Sequence, residues 1–145
     1  MAVAAVAATL AAACSDGASK QEFIAAADEA CREADERIAE IGSLQVEEQL
    51  LDYVADAEEI SAELITDLRA LDAPEADQAE VDEMIDGLER ATNLLEPLAE
   101  ASLDRDSDRL EELQQEVEQV TDDVTELAES YGFEVCGAQV LDPVQ

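Results

Sequence analysis

The sequence predicts an all-α protein: an antiparallel up-down four-helix bundle with an irregular C-terminal tail. Three observations carry that expectation. Aromatics make up 3 % of the 145 residues, Trp is absent, and there are 5 Gly and 3 Pro. An Ala-rich chain of this kind suits helices better than strands and turns. Four segments carry apolar residues at alternating spacings of three and four, which places them on one helix face. Breaks at Gly42-Ser43, at Pro74 and at Asp104–Ser107 let the four stripes fold back and bury one another. A long two-stranded coiled coil is the rival, because the spacing is close to heptad, and the breaks argue against it.

The first segment runs from Lys20 to Ile41. Ser19 and Glu22 have the spacing of a capping box. Phe23, Ala27, Ala30, Ala34, Ile38 and Ile41 form its stripe, and Gly42 is its stop. The second begins after Ser43 and reaches Leu71. Its stripe is Leu50, Val54, Ala57, Leu64, Leu68 and Leu71, interrupted by Ser61 and widened by Ile60 and Ile65. Pro74 disfavours helical geometry at Ala73 and ends it.

The third segment is expected to start with Asp72 as N-cap. Val81, Met84, Leu88, Ala91, Leu95 and Leu98 run along it, with Gly87 and Pro97 inside the pattern. Pro97 removes one backbone hydrogen bond. Because the apolar pattern persists to Leu103, a kink is expected there. The fourth stripe is the cleanest: Leu110, Leu113, Val117, Val120, Val124, Leu127 and Tyr131, stopped by Gly132. The tail Phe133–Gln145 is irregular.

Ahead of these segments, residues 1–13 are apolar or small apart from Thr9, and Cys14 opens a polar stretch. The run fits the apolar region of a signal peptide and is too short to span a bilayer as a helix. Leu10-Ala11-Ala12-Ala13-Cys14 resembles a bacterial lipobox, with Ala11 where Leu is usual. That resemblance implies diacylation of Cys14, making it the first residue of the mature protein. No Lys or Arg precedes Lys20, so the sequence is expected to start inside the signal. The expected organisation is therefore 1–13 signal peptide, 14–19 lipidated Cys and linker, and 20–145 helical bundle domain with its tail. Plain secretion and a frayed Ala-rich terminus are the competing readings.

Two cysteines remain, Cys31 and Cys136. An even remainder in an exported chain points to a disulfide between them. In an up-down bundle the first and last helices are neighbours, and Gly132 lets the tail turn back along the first. Cys31 lies about 18 Å along its helix from Ser19. Five extended residues after Tyr131 cover about that distance. The alternative is two unpaired thiols.

Phe23-Ile24-Ala25-Ala26-Ala27-Asp28-Glu29-Ala30-Cys31, Tyr131-Gly132-Phe133-Glu134-Val135-Cys136-Gly137 and Leu68-Arg69-Ala70-Leu71-Asp72-Ala73-Pro74, together with Cys14, resemble small secreted actinobacterial lipoproteins of unknown function. The resemblance covers most of the mature chain. It implies an envelope location and a helical fold, and it implies no reaction.

The charge narrows function further. There are 39 Asp+Glu against 7 Lys+Arg and no His, a formal net charge of −32. A polyanionic partner is repelled, so no nucleic acid is expected. Without His there is no Ser-His-Asp or Cys-His nucleophile and no His-ligated metal site. No Gly-rich phosphate loop occurs. Asp104, Asp106 and Asp108 open like a calcium loop, but Arg109 stands where Gly is needed and Gln115 where Glu is needed. These acids read instead as N-caps for the fourth segment. Glu33-Asp35-Glu36, Glu58-Glu59, Glu111-Glu112 and Asp122-Asp123 read as solvated faces. The pairs Leu50-Leu51 and Leu94-Leu95 widen the core face or line a pocket.

The expectation is thus a non-enzymatic envelope lipoprotein. It has no catalytic, cofactor-binding or metal-binding residues and no cofactor. It is exported and anchored on the outer face of the cell membrane through lipid on Cys14, with an envelope protein as a further partner. It acts as a binding or spacer module. The alternative is a carrier or sensor for a small apolar or cationic ligand held between the helices. An enzyme using carboxylates alone ranks last, since it needs two carboxylates meeting in a cleft.

Overall fold

A computed structural model of the protein describes residues 18–42 and 49–137. The expected signal at 1–13, the expected lipidation site Cys14 and the far tail at 138–145 lie outside the described residues. Among the described residues the protein is all-helical. Its helices are α1 Lys20–Ile41, α2 Leu50–Ala70, α3 Gln78–Thr92, α4 Leu95–Asp104 and α5 Ser107–Tyr131.

Local chemistry sets most of the ends. The Ser19–Glu22 capping box is made in full, with each side chain taking the other residue's backbone N–H. Gly42 caps α1 with φ 86°, and Gly132 caps α5 in the left-handed region. At the start of α5 the Asp106 carboxylate accepts from the Arg109 amide at 3.1 Å, so this acid serves as an N-cap.

The third segment departs from expectation twice. Its helix starts at Gln78, and the cap position is Asp77 rather than Asp72. Pro74 begins a turn instead, in which the Asp77 amide donates to the Pro74 carbonyl at 2.8 Å. Further on, the helix breaks where a kink is expected. The turn falls at Asn93-Leu94, and α4 restarts at Leu95. Pro97 then sits in the first turn of α4, where a missing N–H leaves no helical bond unmade. The neighbouring Glu96 amide is taken by the Glu58 carboxylate of α2 at 3.3 Å.

Cross-helix pairs tie the neighbouring limbs together. Arg37 of α1 meets Glu63 of α2 at 2.5 Å. Arg69 near the end of α2 meets Asp86 and Glu89 of α3 at 3.0 and 2.6 Å. Tyr131 and Ser130 at the end of α5 meet Asp77 and Glu80 at the start of α3. Helices α3 and α4 together form the third limb, so the molecule is an up-down four-limbed bundle.

The stripes face inward. Phe23, Leu68, Met84, Ile85, Leu113 and Val124 are the largest side chains shut away completely. Burying each such side chain contributes about 1.5–3 kcal/mol. Gly87 lets α3 and α5 approach closely: a Cβ there would lie 2.5 Å from Val124 Cγ2.

The bundle's four sides are not equivalent. Helix α1 packs along α2, α2 along α3 and α4, and α5 along α3 and α4. Helices α1 and α5, expected to be direct neighbours, are instead joined largely through residues 133–137 of the tail.

Candidate functional site

The tail is held to α1 by three kinds of contact. First, Phe23, Tyr131 and Phe133 form an aromatic cluster. The Phe23 ring stands edge-on to Tyr131 at 6.0 Å, and Tyr131 stacks on Phe133 at 4.9 Å. Lys20 Nζ lies 3.8 Å from the Tyr131 ring centroid. Burial, then the hydrogen bond its hydroxyl donates to Asp77, pushes the Tyr131 phenol up to about 12.

Second, Asp28 is the one buried acid among the described residues. Its carboxylate accepts three backbone amides of the tail: Glu134 at 3.0 Å, Val135 at 2.9 Å and Cys136 at 3.0 Å. Three successive N–H groups that have no helix or sheet partner are satisfied by one anion, which is itself compensated for its burial.

Third, Cys31 and Cys136 are disulfide-bonded, with Cα atoms 5.4 Å apart. The pairing read from the cysteine count is therefore present. The next residue, Gly137, has φ +84° and lies against α5, where a Cβ would come within 2.5 Å of Ala128 Cβ. Its carbonyl accepts from the Thr125 hydroxyl at 3.1 Å. The tail is thus wedged between α1 and α5.

Beside this wedge the packing opens into a cleft of about 230 Å³. Helix α1 contributes Ala34, Asp35 and Ile38, and α2 contributes Tyr53, Ala57, Ser61, Leu64 and Ile65. The floor comes from Leu88, Ala91 and Thr92 of α3 and Leu95 of α4. Val135, Gly137 and the disulfide form the remaining wall. The lining is mainly aliphatic. Of its polar groups, the Thr92 hydroxyl is already used, donating to the Leu88 carbonyl at 3.0 Å.

Asp35 is the carboxylate of this cleft. It is half-buried and makes no hydrogen bond or ion pair with another described residue. Desolvation holds its carboxyl above the ordinary aspartate range. The solvated-face reading holds for its exposed neighbours Glu33 and Glu36, and Asp35 departs from it. Glu58 also departs, as the half-buried cap of α4. Of the leucine pairs, Leu95 lines the cleft, Leu94 packs on the core, and Leu51 is exposed.

Asp28 and Asp35 are the candidate-site residues whose placement sequence reasoning misses. Asp28 carries one signal: it is an acid next to Ala27 and three residues before Cys31, at the edge of an otherwise apolar stripe. Asp35 has a weaker one, lying between Ala34 and Ile38 of that stripe.

No protein-family model matches this chain, and comparison with curated proteins and with solved structures finds no significant match.

Proposed function

We propose that this protein is a non-enzymatic lipoprotein of the cell envelope, exported and tethered to the membrane by lipid on Cys14, whose acidic helical bundle binds a small apolar ligand between its helices. The observation that carries the binding reading is the apolar cleft of about 230 Å³ walled by four helices and a disulfide-tethered tail. Native interiors are close-packed, with few voids larger than a water molecule. A cavity of about 150 Å³ lined by aliphatic groups already admits benzene.

The same cleft favours holding over reacting. One carboxylate, Asp35, lines it. Acid–base chemistry between carboxylates needs a pair whose environments split their pKa values. The anchor rests on the apolar-to-polar step at Cys14 and its lipobox-like context. The likeness to actinobacterial lipoproteins adds support, because two of its motifs, around Asp28–Cys31 and Tyr131–Cys136, are the ones that lock the tail.

Native mass spectrometry of the protein, released from its envelope in mild detergent, tests the reading. The expected spectrum shows a diacyl mass on Cys14 and a non-covalently bound small molecule. An Ala57→Leu variant, which fills the cleft, should lose the small molecule and keep the diacyl mass. Parent protein carrying no small molecule contradicts the binding role, and an unmodified Cys14 contradicts the anchor.

A further inference from the structure

We infer that the ligand of this cleft is a small amphiphile with an apolar body and a single protonated amine, and that Asp35 is the counter-charge that receives the amine. The inference rests on the binding role proposed above and assigns the chemical class of what is bound.

The argument begins with where the positive charges of the chain are. No Lys or Arg lines the cleft. The two arginines flanking Asp35 on α1 are engaged elsewhere, Arg32 with Glu29 and Arg37 with Glu63. Asp35 therefore faces an aliphatic cavity with no protein cation against it. A carboxylate so placed loses hydration without gaining a partner, and a ligand cation supplies the missing term.

The surroundings discriminate in the same direction. The chain carries a net charge of −32, so its field concentrates cations and repels anions around the cleft mouth. A fatty-acid anion would bring a second negative charge beside a desolvated first. A neutral body of the same shape would leave Asp35 as it is. Tyr53, one of two tyrosines in the chain, adds an aromatic surface to the same cleft, and such surfaces favour ammonium groups. The volume of about 230 Å³ suits an apolar body of about nine non-hydrogen atoms, scaled from benzene in a cavity of about 150 Å³.

Three probes with one body isolate the charge: 4-phenylbutylamine, 4-phenylbutanol and 4-phenylbutyrate. Each is titrated into the full chain at neutral pH in 1 M NaCl, where the Debye length is about 3 Å and attraction from the outer surface is screened. Methyl NMR signals of Ile38, Leu64, Leu95 and Val135 report occupancy of the cleft. The amine should bind at least about tenfold more tightly than the alcohol, a difference of about 1.4 kcal/mol. The carboxylate should bind most weakly. Asp35→Asn should bring amine and alcohol within about threefold of each other and leave the alcohol's affinity unchanged. Glu36→Gln, at the exposed neighbouring acid, should leave the amine preference intact. Equal affinities for the three probes, or an amine preference that survives Asp35→Asn, would overturn the inference and leave the cleft as a binding site. Failure of every probe to shift the cleft methyls would overturn the binding role itself, and the inference with it.

Discussion

Helix α5 is bounded by two seams built on different principles. Against α3 the contact is helix on helix. Gly87 removes a side chain, Val124 moves into the space, and the backbones approach until one added Cβ would clash at 2.5 Å. Against α1 the gap is instead filled by an irregular segment, held by an aromatic cluster, three amide bonds to Asp28 and a disulfide. The direct seam leaves no room. The bridged seam closes only as far as Gly137, and the cleft opens beside it. A bundle closed by a wedge therefore has an apolar cleft as a consequence of how its last side is sealed.

The largest way to break this comparison is to cut the covalent tie. The Cys31–Cys136 bond joins residues separated by 105 positions. Constraining the unfolded chain over such a loop contributes about 4–5 kcal/mol in the chain-entropy account. A Cys31→Ser/Cys136→Ser variant should lose stability of that order in denaturant melts. Its α3–α5 seam should persist, as read from slow exchange of core amides in α3.

Next in size is Asp28→Ala. It leaves the amides of Glu134, Val135 and Cys136 without their acceptor, and each buried orphan costs about 1–3 kcal/mol before water reaches it. A net loss of about 2–4 kcal/mol is expected with the disulfide intact. Exchange at those three amides should speed up selectively in NMR spectra. Asp28→Asn, which keeps one carbonyl oxygen, should fall between parent and Ala.

Gly87→Ala probes the opposite seam. Overpacking of this kind costs about 1–3 kcal/mol. The loss should appear in the melting curve while the tail amides keep their protection.

Tyr131 touches both seams, with its ring on Phe23 and Phe133 and its hydroxyl on Asp77 of α3. Its phenol titrates at about 12 in the folded protein, against about 10 in an unfolded chain. The folded state therefore holds this proton more tightly. The contribution is complete below about pH 10 and is lost as pH rises towards about 12. Stability should fall across that window in the parent and more gently in Tyr131→Phe, which has no proton to lose there.

Much of the architecture is legible in the amino-acid sequence. The four stripes, the Ser19–Glu22 box, the glycine stops and the pairing of Cys31 with Cys136 depend on local spacing or on parity. Spacing is a property of neighbours along the chain, and parity needs only a count. The start of α3 is not legible, because Asp72 and Asp77 are both acids ahead of the stripe. What separates them is the Pro74 turn and a tyrosine more than fifty residues away. The break at Asn93-Leu94 is hidden by a stripe that continues through it. Asp28 is hidden for the same kind of reason: an acid at the edge of a helical stripe reads as surface until the tail's amides arrive 106 to 108 positions later. Asp35 is masked by exposed acids on either side. In a chain with 39 acidic residues, Asp28 and Asp35 differ from their exposed acidic neighbours only in what tertiary packing brings to them.

The central claim is that the bridged seam leaves an apolar cavity that a ligand can enter, whereas the direct seam does not. Xenon, which enters dry apolar cavities and makes no polar contacts, tests it most directly. Methyl spectra of the full chain under increasing xenon pressure should show saturable shifts at Ile38, Leu64, Leu95 and Val135. Val81 and Leu113, in closed packing, should stay fixed. No shift at the cleft methyls, or equal shifts at both sets, would contradict the account.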